Sequence, residues 1–241
     1  IMLSQAYRQS SSAPEELYRR DPENRLLARG PRFRLTGELV RDQALAASGL
    51  LIPKIGGPST RPYMPVGVWS ETNRYGNLKN YKADTGEGLY RRSMYTIWKR
   101  TAAPPSMLLF DAPNREICTP KRARTNTPLQ ALALMNEVTY VEAARALAQR
   151  MMKEGGDSVD SRLLTGFRLV TARTPDQATL DILKKGFEGR IKEFEKDPES
   201  AKTLIMEGAS KPDSSLSTPE LAAYSATASI LLNLDRVITK D

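Results

Sequence analysis

Three helix starts built from one chemistry constrain this chain more than any other feature. Thr127-Pro128-Leu129-Gln130 places Thr at the N-cap, Pro at the first helical position and Gln three residues on, the pattern of a capping box. Thr174-Pro175-Asp176-Gln177 repeats it, and Ser217-Thr218-Pro219-Glu220 offers Ser217 or Thr218 as a cap. On this reading the Thr127 hydroxyl contributes about 1 kcal/mol as a cap. Asp197-Pro198-Glu199 opens a shorter helix that Gly208 closes, and Gly155-Gly156 ends the segment YVEAARALAQRMMKE.

Apolar spacing fills in the helices between these marks. From Val138 to Met152, Val141, Ala144, Leu147, Ala148 and Met151 share one face, and Glu142, Arg145, Gln149 and Lys153 fall on the other. Leu163, Leu164, Phe167, Val170 and Ala172 make a core face up to the Thr174-Pro175 break. Leu180, Leu183, Phe187, Ile191 and Phe194 make the next one. Leu221 to Leu234 is almost wholly apolar or small and reads as a buried helix.

The first half is irregular. Ser12-Ala13-Pro14-Glu15-Glu16 and Asp21-Pro22-Glu23 read as short helical starts, and Glu38 to Leu51 as a helix with Leu39, Ala46 and Leu50 inward. Pro53 to Gly67 holds four prolines and three glycines in fifteen residues and reads as a loop lying on the surface. A second irregular stretch, Ala102 to Thr127, is broken by Pro104, Pro105, Pro113 and Pro120. Ser93 to Thr101 fits a strand or a helical face equally well. The expected fold is therefore mainly α: one domain over 1–241, with a loop-rich half 1–126, a helical half 127–241 and at most a small β element.

Length and composition agree with a soluble globular domain. At 241 residues and 40% hydrophobic, the chain is long enough to bury a substantial core. No apolar run approaches the roughly 20 residues that cross a bilayer, so no membrane insertion is expected. The start IMLSQAYRQSSSAPEE lacks the basic and apolar regions of a signal peptide, and it reads as the interior of a longer polypeptide.

The chain contains no histidine. That excludes a Ser-His-Asp triad, a Cys-His dyad, a histidine-liganded zinc site and the usual c-type haem attachment. There is no Gly-x-Ser-x-Gly elbow, no phosphate loop and no dinucleotide fingerprint. Asp157, Asp160 and Asp197 do not follow an EF-hand pattern, although calcium held by other oxygen ligands stays open. No cofactor or metal is expected in this chain. Cys118, the single cysteine, reads as buried and inert.

Charge is uneven. Residues 1–124 carry 21 Lys and Arg against 11 Asp and Glu, and 16 of those cations are Arg. Arg suits bidentate contact with carboxylate, phosphate or sulfate, yet buried Arg also serves to hold backbone carbonyls and internal carboxylates. The densest cluster is Tyr90, Arg91, Arg92, Tyr95, Trp98, Lys99 and Arg100, followed by Arg115, Lys121, Arg122 and Arg124. Cations interleaved with aromatic rings suit an anionic polymer, such as an acidic or sulfated glycan or, less well, a nucleic acid. The same residues also read as core anchors with ion-paired neighbours. A second candidate is carboxylate chemistry. Asp84, Glu87, Asp111 and Glu116 lie in or near the irregular regions, and two carboxyls at suitable separation run glycoside hydrolysis without histidine.

Asp84 to Arg150, with LARGPRFRLTGELVRDQALAASGL and PKIGGPSTRPYMPVGVW upstream and LAAYSATASILLNLDRVITKD at the end, resembles a planctomycete-specific domain of unknown function. The resemblance runs from about Ser4 to the C-terminal end. Its positions here are Asp84, Thr85, Gly86, Glu87, Leu89 to Ser93, Trp98 to Arg100, Phe110, Asp111, Arg115, Cys118 and Arg124 to Gln130. The resemblance implies an exported or periplasmic modular protein in which a neighbouring module, often cytochrome-c-like, carries any haem. The implied role is a non-catalytic accessory module that contacts an anionic partner or a neighbouring module of its own polypeptide. A carboxylate-dependent hydrolase of glycans or small esters and lactones is the alternative, and a nucleic-acid-binding module the second.

Overall fold

The structure, a computed structural model, describes residues 1–72 and 80–240, with only the backbone for 71 and 72. Arg74 and Lys79, two cations of the basic half, lie outside the described residues. The described residues form eleven α-helices and one two-stranded antiparallel sheet, a mainly α single domain as the sequence predicts. In chain order the first half contributes α1 (Glu15–Arg20), β1 (Phe33–Arg34), α2 (Gly37–Ser48), α3 (Val68–Thr72) and α4 (Pro105–Leu109). The second half contributes α5 (Pro128–Asn136), α6 (Val138–Glu154), α7 (Val159–Thr171), α8 (Gln177–Lys196), α9 (Pro198–Met206), α10 (Thr218–Leu232), α11 (Asp235–Ile238) and β2 (Thr239–Lys240). β1 pairs with β2, Phe33 opposite Lys240, which ties the first half to the end of the second.

Helices α6 and α10 form the centre. They meet along small residues, Ala143, Ala144 and Ala148 on α6 and Ala222, Ala223 and Ala228 on α10, all nearly fully buried. Small side chains let helix axes approach closely, and the larger Leu147, Met151, Leu221 and Leu231 fill the space beside them. α8 and α9 pack on α10, and α2 and α7 pack on α6. At Gly166 on α7 a side chain would run into the Met151 thioether of α6, so the absence of a Cβ there lets Met151 take its place between the helices.

The helix starts fall close to their expected places, but the capping chemistry differs. α5 begins at Pro128 with Thr127 at the N-cap, yet the Thr127 hydroxyl makes no cap hydrogen bond. Gln130, the expected partner in the box, instead sends Nε2 to the Leu109 carbonyl at 2.9 Å and to Thr125 Oγ1 at 3.1 Å. α8 begins two residues later than Thr174-Pro175 implies, because Asp176 accepts from Thr179 N–H and a carboxylate is the stronger cap. Asp197 caps α9 through Ser200 N–H, and Ser217 stands at the N-cap of α10. Gly155 follows the last residue of α6.

Other expectations require correction. Asp21-Pro22-Glu23 starts no helix: the Asp21 carboxylate accepts from Arg25 and Leu26 N–H, which folds a turn instead. α2 turns a different face inward, with Val40, Ala44, Leu45 and Ala47 buried while Leu39 and Ala46 are exposed, because α6 and α4 lie against that side. Pro105 initiates α4 inside the second irregular stretch, since Pro at the first helical position lacks only an N–H that would be unpaired anyway. Ser93–Tyr95 is a short 3₁₀ turn, and neighbouring Thr96 bridges to Thr60 of the 53–67 loop.

The caps give a direct comparison. Asp176→Ala and Asp197→Ala should each cost about 1 kcal/mol, whereas Thr127→Ala should cost under about 0.5 kcal/mol because its hydroxyl caps nothing. Urea unfolding of the three variants checks this, and a Thr127→Ala loss equal to the aspartate losses would refute it.

Candidate anion-binding site

A cavity of about 560 Å³ opens where the β1–α2 junction meets the end of α4, the start of α5 and the segment 120–124. Its walls carry Arg34, Lys121, Arg122 and Arg124 against a single carboxylate, Asp111, with Phe110 and Leu35 as apolar surface and Gln130 on the inner side. Segment 121–125 is pinned at two points. Arg122 makes a bidentate pair with Glu38 at 2.9 and 3.0 Å, and Thr125 donates from N–H and Oγ1 to the Asp111 carboxylate at 2.7 and 2.9 Å. Burial pushes the Glu38 carboxyl up, but the hydrogen bonds and charge of Arg122, with hydrogen bonds from the Glu38 backbone N–H and from Thr36, together hold it below the ordinary carboxylate range.

Arg34 differs from the other arginines here. Burial lowers its basicity, opposed by the nearby Asp235 and Asp111 carboxylates, and its Nε is buried without a hydrogen-bond partner. Arg124 lies over the Phe33 ring at 4.6 Å with its side chain at the surface. Of the residues proposed from sequence for ligand contact, Arg122 and Arg124 line this cavity, and the neighbouring Lys121 lines it too. Sequence reasoning missed Arg34 and Gln130. The signal available was Gln130 as the third residue after a cap, a position where Gln is assigned to capping rather than to a cavity.

The rest of the Arg-aromatic cluster is built into the fold. Arg91 is buried, and its guanidinium holds the Lys54, Gly56 and Pro58 carbonyls while lying over the Tyr95 ring at 3.9 Å. Tyr95 Oη accepts from Gly56 N–H at 2.8 Å. Arg91 and Tyr95 therefore fasten the 53–67 loop. Arg92, half exposed, faces Asp42 at 3.9 Å. Trp98 donates from Nε1 to the Asn114 carbonyl at 3.1 Å and lies under Arg115 at 4.4 Å. Lys99 lies 5.3 Å from the Trp69 ring centre, and Arg100 is exposed.

Tyr90 leads to a buried network that sequence analysis placed on the wrong side of a helix. Glu142 and Arg145 are each 1% exposed, where periodicity put them on the solvent face of α6. Glu142 accepts from Tyr63 Oη at 2.9 Å, Tyr90 Oη at 2.8 Å, and Ser210 N–H and Oγ at 2.6 Å each. Arg145 donates to the Ile205 carbonyl at 2.8 Å and to Ser210 Oγ, and its guanidinium lies 3.6 Å from Glu142. Ala209 N–H donates to Tyr63 Oη at 2.7 Å. Gly208, at φ +90°, passes so close that a side chain would land on the Glu142 carboxylate. Burial and the facing Glu142 both raise the Tyr63 and Tyr90 hydroxyls above the ordinary tyrosine value.

The four candidate carboxylates occupy separate settings. Asp84 accepts from Arg61 N–H at 2.8 Å, Glu87 faces Lys54 at 3.6 Å on the surface, Asp111 lines the cavity, and Glu116 lies in the exposed segment 114–126. Cys118 is exposed rather than buried, because it lies in an irregular segment whose residues are all at the surface. Among the described residues no three His, Cys, Asp or Glu side chains cluster in a way that could hold a metal ion, and no helix is long and apolar enough to cross a membrane.

Residues 1–187 match a protein-family model described as PSD1: Protein of unknown function (DUF1553). The match includes every residue of the cavity and stops within α8. Neither a curated protein nor a solved structure matches the chain.

Two outcomes are expected of the Glu142 network. Glu142→Ala should cost about 3–5 kcal/mol in denaturant unfolding, since it strands Arg145 as a buried charge without its carboxylate. A loss under about 1 kcal/mol would show that the network is not structural. Because Tyr63 and Tyr90 are harder to ionise in the folded chain, their stabilisation is complete below about pH 10 and is lost as pH rises toward their folded values. Stability measured from pH 8 to pH 11 should therefore fall less steeply in Tyr63→Phe and Tyr90→Phe than in the parent chain.

Proposed function

The chain belongs to that family of unknown function, and on this premise we propose that it is a non-catalytic accessory module whose basic cavity binds an anionic group of a partner, such as an acidic or sulfated glycan. The observation that carries the reading is the imbalance inside the cavity. Among the described residues Arg34, Lys121 and Arg124 make no carboxylate salt bridge, Arg122 is balanced by Glu38, and Asp111 is the carboxylate on the wall, with Asp235 also near Arg34. Cations gathered on the walls of a concave site raise the local concentration of an anionic partner and orient it. Arg forks give directional hydrogen bonds to oxyanions.

In this proposal the module belongs to an exported, planctomycete-type modular polypeptide, as its C-terminal part, and any haem belongs to a neighbouring module. A chain without histidine fits that division of labour. The hydrolase alternative is less supported, because Asp111 is the one candidate carboxylate on the cavity wall and acid–base hydrolysis of a glycoside uses two. The nucleic-acid alternative is also less supported, since Tyr95 and Trp98 already carry Arg91 and Arg115 on their faces and Tyr90 is bound to Glu142.

Binding to heparin or to polygalacturonate, followed by calorimetry, tests the reading. Affinity should fall steeply between low salt and 0.3 M salt, as it does for charge contacts screened within about 10 Å at 0.1 M. The double change Arg34→Gln and Arg124→Gln should weaken binding at least tenfold, while Arg92→Ala with Arg100→Ala should leave it within about twofold. Equal binding by the Arg34/Arg124 variant, folded by circular dichroism, would sink the assignment of the cavity.

A further inference from the structure

The cavity is of mixed character, and the mixture selects among anions. Asp111 is held in the left-handed backbone region at φ +61°, with its carboxylate fixed by two donors of Thr125. That carboxylate has acceptor positions left over, and it stands on the same wall as the arginines. It repels a sulfate or a phosphodiester, which offers acceptor oxygens alone, but it attracts a hydroxyl hydrogen. A ligand that satisfies both demands carries an anionic oxygen for the cations and an O–H donor for the carboxylate on the same small unit.

Gln130 repeats the same demand independently. It is 0% exposed, and its orientation is set because Nε2 donates to the Leu109 carbonyl, where an amide oxygen would be repelled. Among the described residues its Oε1 is consequently a buried acceptor with no donor, and Arg34 Nε a buried donor with no acceptor. A buried polar atom left unmatched costs about 1–3 kcal/mol. Both residues line the cavity beside the surface segment 120–124, so a ligand that reaches the inner wall finds an acceptor and a donor there. Phe110 and Leu35 supply apolar surface for the carbon face of a ring, and about 560 Å³ holds one sugar unit with room for its neighbours.

We propose, resting on the anion-binding reading above, that the cavity takes a uronate unit of an acidic glycan, its carboxylate on Arg34 and Arg124 and its ring hydroxyls donating to Asp111 and Gln130. Asp111 is the residue that sets the choice of uronate over sulfate, and the cations set the requirement for charge.

Calorimetry of the full chain with galacturonate oligomers, the neutral galactose oligomer, inorganic sulfate and a single-stranded oligonucleotide tests this at one ionic strength. Galacturonate should bind about tenfold tighter than sulfate, the size of one hydrogen bond to a charged acceptor, and the neutral oligomer should bind at least tenfold more weakly than galacturonate. Asp111→Asn keeps the backbone conformation, because Asn also accepts the left-handed region. It should narrow or reverse the preference by strengthening sulfate binding, which a merely structural role of Asp111 would not do. Sulfate binding as tightly as galacturonate to the parent chain overturns the uronate assignment and leaves the anion site standing. An oligonucleotide that outcompetes galacturonate overturns it in favour of a phosphate polymer. Failure of every anion to bind overturns both readings.

Discussion

A single carboxylate, Glu142, decides how the two halves of this chain meet. It lies in the middle of α6, the helix on which α10, α2 and α7 all pack, and it binds groups from three other places in the chain. Tyr63 comes from the Pro-rich loop, Tyr90 from the end of a second 3₁₀ segment, Gly86–Tyr90, and Ser210 from the link between α9 and α10. Each bond closes a long loop of chain, so the network replaces what regular secondary structure would otherwise do for the first half. A buried charge is expensive unless it is paired and hydrogen-bonded, and here Arg145 and four donor atoms meet that requirement. The cost of an incomplete network makes other placements of the loop unfavourable, and the closest approach is made at Gly208.

Arginine extends the same logic into the irregular regions. A segment without a helix or a sheet leaves its carbonyls in need of donors, and a guanidinium offers five donors on one rigid plane. Arg91 takes three carbonyls of the 53–67 loop, and Arg41 takes the Leu89 and Arg91 carbonyls at 2.6 and 2.9 Å. Arg29 closes the turn at Asp21 and Pro22, and Arg150 reaches the end of α2 through the Ala47 carbonyl. Much of the positive charge of the first half is therefore internal scaffolding. What remains for a partner is the smaller group around the cavity, and that subtraction is what separates a basic composition from a basic site.

The helical half was largely legible in the sequence because its signals are local. Prolines, glycines and cap residues act within one turn, the face of α8 and most of that of α7 follow from spacing, though Ala172 is exposed past the end of α7, and α10 reads as buried from its apolar composition. Burial of Glu142 and Arg145 was not legible. Spacing assigns polar residues to solvent, and only loops arriving from Tyr63, Tyr90 and Ser210 cover that face. The inward face of α2 failed for a related reason, since a short helix with Leu and Ala on several sides is oriented by its neighbours rather than by its own pattern. Within the candidate site, Arg122, Arg124 and Asp111 were named from sequence as members of a basic cluster and a carboxylate set. Their convergence with Arg34 depends on β1 and on the end of α4, which no local signal announces.

The start of α5 shows how a local rule and a cavity compete for the same side chain. Thr127, Pro128 and Gln130 have the residue types and spacing of a capping box, and the helix does begin there. The box itself does not form, because Gln130 turns away from the Thr127 N–H to hold the Leu109 carbonyl and the Thr125 hydroxyl, which in turn holds Asp111. The helix gives up about 1 kcal/mol of capping, and in exchange α4, α5 and segment 121–125 are fixed around one cavity. Departures from local rules that are compensated by long-range order concentrate where a protein positions side chains for something other than stability. In this chain that departure falls on the residue that closes the inner wall of the basic cavity.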